Sequence, residues 1–140
     1  MLRTMDKNEE HDWTTLLCNT ERISSLFSFC PNLSSVTLHE VKLTRDGSQA
    51  SIRFDLSELP EPLPSKWQEQ EYNTVQLELA LLETTKLHIE GWSHQVGGQL
   101  HLEKTESCIV MSFQSQKVRF SFQGEYLRLV KISAYENSVP

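Results

Sequence analysis

Apolar and polar positions alternate with a period of two through most of this chain. The clearest case is the stretch VTLHEVKLTRDGSQASIRFDL, from Val36 to Leu56. Such alternation marks strands with one face buried. Asp46-Gly47 divides the stretch and predicts a two-residue type I′ hairpin turn, which needs φ > 0 at both central residues. That turn sets Leu43 opposite Ala50 and Val41 opposite Ile52, all four on one face. Along the first strand the apolar phase changes between Val36/Leu38 and Val41/Leu43, while Ile52, Phe54 and Leu56 keep theirs. One extra residue near His39-Glu40, a β-bulge, repairs the mismatch.

The same period continues downstream. Val75, Leu77, Leu79 and Leu81 form one set, and Leu87 and Ile89 the next, with Gly91-Trp92 bending the strand's end. A turn at Glu83-Thr84-Thr85 would join these two sets as a hairpin. It would place Glu78 opposite Glu90 and Gln76 opposite Trp92 on the outer face, and like charges so placed are mildly destabilising. Gly97-Gly98 reads as a turn into Leu100 and Leu102. Ile109, Met111 and Phe113 follow, with Cys108 and Val110 on the other face suggesting cover on both sides. Val118, Phe120 and Phe122 come next, and the run from Tyr126 to Tyr135 shifts phase after Leu129. Short strands at this spacing predict a mainly β (α+β) fold, an antiparallel sandwich or curled sheet of about eight strands.

Helical spacing is confined to the N-terminal side. Asp12 offers an N-cap ahead of Trp13, Leu16 and Leu17, and Asn19 or Thr20 offers another ahead of Ile23, Leu26 and Phe27. This predicts one interrupted helix or two short ones, ending before Cys30-Pro31, with Trp13 in the core. Residues 1–11 are polar and read as a frayed extension, leaving 12–140 as one β domain. The irregular segment is ELPEPLPSKWQEQEYN, Glu58 to Asn73. Its alternating Pro60, Pro62 and Pro64 exclude a central strand. Trp67 within it either folds back over a sheet edge or stands as an aromatic anchor for a partner.

Composition narrows the function. With 13 basic and 19 acidic residues, net charge −6, the chain is poorly suited to nucleic acid or an anionic membrane. A basic protein remains a suitable partner. No apolar run approaches the ~18 residues of a membrane span, and the start has no signal-peptide pattern. Three widely spaced cysteines, Cys18, Cys30 and Cys108, read as small buried thiols of a reduced, cytoplasmic protein.

The common catalytic and cofactor motifs are missing: no GxSxG, P-loop, GxGxxG, HExxH or EF-hand loop occurs. His88, Glu90 and His94 are spaced to share a strand face, with His101 further on, so a metal site and an enzyme are conceivable there. A solvated outer face gives the same spacing. No carboxylate is placed by sequence as a buried general acid. The reading is a non-enzyme without cofactor or metal.

A family resemblance rests on pieces in order. They are Trp13…Leu16-Leu17, Pro31-Asn32-Leu33, Val36-x-Leu38-His39-Glu40-Val41, Arg45-Asp46-Gly47 and Ile52-Arg53-Phe54-Asp55-Leu56. Pro60, Pro64, Lys66-Trp67, Asn73-Thr74-Val75, Glu90-Gly91-Trp92 and Ile132-Ser133-Ala134-Tyr135 continue the series. Together they resemble the immunity protein 50 family of bacterial polymorphic toxin systems. The resemblance implies a cytoplasmic protein that binds and blocks a cognate toxin. The acidic balance suggests a basic toxin such as a nuclease, contacted through Glu61, Trp67, Glu69, Glu78, Glu90 and Trp92. An acidic face kept for solubility has the same composition. The competing class is a small-molecule-binding β protein, with Trp67 and Trp92 lining a cavity.

Overall fold

The computed structural model describes residues 12–94 and 96–137; the extension 1–11 lies outside them. Eight antiparallel strands form one curled sheet that does not close into a barrel. They are β1 (Val36–Thr44), β2 (Gln49–Asp55), β3 (Thr74–Leu82), β4 (Lys86–Glu90), β5 (Gly97–Lys104), β6 (Ile109–Gln114), β7 (Arg119–Gly124) and β8 (Tyr126–Tyr135). Their order across the sheet is β4-β7-β6-β5-β1-β2-β3-β8. Two short helices, α1 (Glu21–Leu26) and α2 (Ser65–Glu69), and a 3-10 turn at Trp13–Leu16 complete the fold. Among the described residues, no helix is long and apolar enough to cross a membrane.

The first hairpin has the expected register: Leu43 faces Ala50, Val41 faces Ile52, and the ladder slips between Leu38 and Glu40. The turn differs in type. Positive φ falls at Gly47 (84°) and Ser48 (49°), one residue later than a type I′ turn at Asp46-Gly47 requires. Ser48 is docked on the loop before β4, accepting from the Thr84 amide at 2.8 Å and donating its hydroxyl to the Thr84 carbonyl. Gly47 still occupies a left-handed position. Gly47→Val should therefore lose about 1–3 kcal/mol, read as a lower urea midpoint; an unchanged midpoint would show that the tip tolerates the strain.

The expected hairpin of β3 with β4 does not form. β3 lies between β2 and β8, whereas β4 pairs with β7. Burial explains the choice. Val75, Leu77, Leu79 and Leu81 are fully buried, which suits a central strand, while every residue of β4 is exposed. Leu87 and Ile89 stand opposite Phe122 and Phe120 but remain 50% and 41% exposed. They are not the core residues that the alternation suggests.

Gly97 and Gly98 also differ from expectation. They open β5 and pair with Thr37 and Val36, joining the two halves of the sheet where the turn was expected. A Cβ at Gly98 would lie 2.4 Å from the Gln114 carbonyl oxygen, so the joint requires a residue without one. The phase change in β8 appears as a register slip at Glu78/Leu79 of β3. None of the cysteines is fully buried: Cys18 and Cys30 are exposed and Cys108 is intermediate.

The N-terminal segment packs against β5 and, through a bridge from Leu17 to Leu127, against β8. Asp12 accepts from the Thr14 amide at 3.1 Å, capping the 3-10 turn as its position suggests. Asn19 does not cap α1. Its side chain instead bonds both backbone groups of Leu129, each at 2.9 Å, acting as a short extension of the ladder beside β8.

Candidate functional site

The connection from β2 to β3 carries the most distinctive surface. After the Leu56 amide bonds Val75 (2.9 Å), the chain leaves the sheet through Pro60, Pro62 and Pro64. The Pro64 carbonyl accepts from the amides of Trp67 and Gln68, both at 3.0 Å, and starts α2. This helix is a departure from the wholly irregular segment that the prolines predict. The helix ends in a Schellman arrangement, with Glu71 at φ 58° and bonds from Glu71 to Gln68 and from Tyr72 to Trp67. Trp67 is partly buried and packs on the core, which is the folded-back arrangement.

Two polar anchors hold this segment beside the loop after α1. The Asn32 amide donates to Glu58 Oε1 at 2.7 Å, and Ser28 Oγ donates to the Glu61 carbonyl at 3.2 Å. Between them lies an open cleft of about 990 Å³, lined by Phe29, Leu59, Pro60, Pro62 and Leu63 with Glu58 and Glu61 at its polar side. Phe29 is exposed and braced edge-on by Phe27, ring centres 5.4 Å apart. Residues 57–71 carry Glu58, Glu61, Glu69 and Glu71 against Lys66 alone. Apolar floor and carboxylate rim together suit a basic protein surface.

The other expected contact residues are distributed. Five antiparallel pairings lie between β4 and β2, so the end of β4, with Glu90 and Trp92, points the opposite way from the end of β2 that leads into the cleft segment. Trp92 is 65% exposed, whereas Trp67 packs on the core. Glu78 lies mid-strand on the outer face, flanked by Arg53 on β2 and Lys131 on β8. Glu90 stands opposite Arg119. Each carboxylate thus faces a base, and the expected Glu78–Glu90 repulsion is overturned by the pairing.

A polar cluster that sequence reading did not single out sits on the same outer face. Asp55, only 5% exposed, lies 2.8 Å from His39 Nε2 and accepts from Gln76 Nε2 at 3.0 Å and from the Tyr135 hydroxyl. Arg53 reaches Gln76 Oε1 at 3.2 Å and Glu40 Oε1 at 3.4 Å. His39, Glu40, Arg53, Asp55 and Tyr135 all belong to the sequence pieces behind the resemblance, and folding gathers them from three strands. Burial, with the hydrogen bond and charge of Asp55, pushes the Tyr135 phenol up to about 12. A raised phenol pKa favours the native state until the unfolded-state value near 10 is passed. Stability should therefore fall as pH rises from about 10 to about 12. In the native protein, phenolate absorbance should show one of the 3 tyrosines titrating late, and Tyr135→Phe should remove that step.

Elsewhere the chemistry is muted. The Cys30 thiol is pushed up to about 11 by burial of the sulfur and by the Asp12 carboxylate, although the residue as a whole is exposed. It stays protonated and is a poor nucleophile. His88 Nε2 is 3.9 Å from Glu90 Oε1 and His101 Nε2 is 3.4 Å from Glu103 Oε1. Among the described residues, no three His, Cys, Asp or Glu side chains come together to hold a metal.

The sequence model of the immunity protein 50 family matches residues 19–135. The chain belongs to this family. The match includes the cleft segment and every member of the Asp55 cluster, so in this immunity protein both lie within the family's own region. Trp13, Leu16 and Leu17 precede it. No curated protein and no solved structure matches the chain.

Proposed function

We propose that the chain binds and neutralises the cognate toxin of a polymorphic toxin system, inside the cytoplasm of the bacterium that makes both. The observation that carries this reading is membership of the immunity protein 50 family over residues 19–135. The cleft with Glu58 and Glu61, and the neighbouring Trp67 and Glu69, supplies the contact surface; the exposed Glu90 and Trp92, on β4 and the loop after it, are further contacts. Apolar groups at the centre give affinity, while the carboxylates steer a basic toxin such as a nuclease. Inhibition is stoichiometric and needs no cofactor.

The gene directly upstream should encode a large secreted toxin. Co-expressing that toxin's C-terminal domain with this chain should restore growth, and the two should purify together in equal amounts. Growth arrest despite full expression of this chain would contradict the reading. Protection at well below one chain per toxin would replace stoichiometric binding with catalysis.

A further inference from the structure

Among the described residues, β4 is an outer strand of the sheet, paired with β7 on one side only. An outer strand presents a row of free main-chain donors and acceptors, and exposed apolar side chains make it a template for another strand. Here Leu87 and Ile89 are 50% and 41% exposed, on the same sheet face as the buried Phe122 and Phe120. Lys86, His88 and Glu90 occupy the opposite face.

The sequence of β4, Lys-Leu-His-Ile-Glu, is complementary to itself when run antiparallel. Centred on His88, Lys86 meets Glu90 of the second copy, Leu87 meets Ile89, and Glu90 meets Lys86. Slipping the pairing by one residue puts charged positions against apolar ones. A slip of two residues separates Lys86 from Glu90. Only one register satisfies both the charges and the apolar positions. It is also two-fold symmetric, as a closed homodimer requires.

We propose that a second copy of this chain pairs along β4, about a two-fold axis through His88, and joins the two sheets edge to edge. Direct opposition at the axis works whether His88 falls in a hydrogen-bonded or a non-hydrogen-bonded pair, because both lie on the two-fold of an antiparallel ladder. An edge contact of five residues buries little area, so the dimer is weak and concentration-dependent. Glu90 is shared with the proposed toxin contact, but the cleft of the β2–β3 connection is lined by other elements, so the pairing does not rest on that cleft.

The register gives a sharp test. In a Cys18→Ser, Cys30→Ser background, His88→Cys should form a disulfide-linked dimer under mild oxidation, since directly opposed Cα atoms lie within the span of a disulfide. Lys86→Cys alone should not, but should cross-link when mixed with Glu90→Cys. By sedimentation velocity, the native chain should shift from monomer toward dimer between about 10 µM and about 1 mM, the range in which so small an interface associates. Ile89→Lys should abolish the shift with its melting temperature unchanged. Lys86→Glu should weaken it about tenfold, because symmetry counts the lost pair twice; adding Glu90→Lys should restore it. A chain that stays monomeric throughout, or Lys86→Cys cross-linking alone as readily as His88→Cys, would overturn the proposal.

Discussion

Trp13→Ala should lower the unfolding free energy by about 3–5 kcal/mol, the usual cost of removing a large aromatic side chain from a core. Trp13 is 4% exposed and donates its indole N–H to the Pro31 carbonyl at 2.8 Å. The 3-10 turn that carries it is four residues long, too short to persist unsupported. Its indole therefore fastens the turn to the loop before β1, while the Leu17 bridge to Leu127 and the Asn19 bonds to Leu129 tie the following residues to β8. Trp13→Phe should separate the two contributions, keeping most of the packing and losing about 1 kcal/mol for the hydrogen bond. Urea titrations of both variants would check this. A near-neutral alanine variant would mean that the N-terminal segment is not part of the folded core.

Gly91→Ala should cost about 3–5 kcal/mol, combining backbone strain with a steric overlap that neighbours cannot relieve by a rotamer change. Gly91 has φ 83°, and a Cβ there would sit 1.9 Å from the Lys117 carbonyl oxygen. Gly47 supplies an internal control. Its φ is 84°, but nothing lies within 4 Å of a Cβ built on it. Gly47→Ala should carry the conformational cost alone. The difference between the two alanine variants, on the order of 2–3 kcal/mol, measures the close approach of the loop after β4 to the β6–β7 connection. Equal losses at both sites would remove the close approach from the account.

Local chemistry made the first hairpin legible. An Asp-Gly pair, two alternating runs and one phase break contain the register and the bulge without reference to the rest of the chain. The turn type was not legible, because Ser48 is held by Thr84, thirty-six residues away. Pairing of β3 and β4 failed for a related reason. Adjacent alternating runs suggest a hairpin, but β3 is apolar enough to need a neighbour on each side, and β8 supplies one from the end of the chain. The short helix α2 was hidden by its flanking prolines, although Pro64 is what starts it.

The functional surface was legible in part. Glu61, Trp67 and Glu69 lie on one continuous segment whose proline and acidic character is plain in the sequence. Phe29 as part of the cleft was not, since it comes from a separate loop. Asp55 as a hub was equally hidden: its partners His39, Gln76 and Tyr135 meet only through strand register. Alternation along β2 does place Arg53 and Asp55 together on the outer face, and that was the available signal.

Binding kinetics with the cognate toxin domain test the central claim most directly. Glu61→Lys combined with Glu69→Lys should leave the melting temperature nearly unchanged, since both side chains are exposed. The variant's association rate should fall at least about tenfold at low salt, with the gap closing as salt is raised, because steering by exposed charge is screened. An association rate equal to that of the native chain at low salt, with the fold intact, would contradict the assignment of this acidic cleft as the toxin contact.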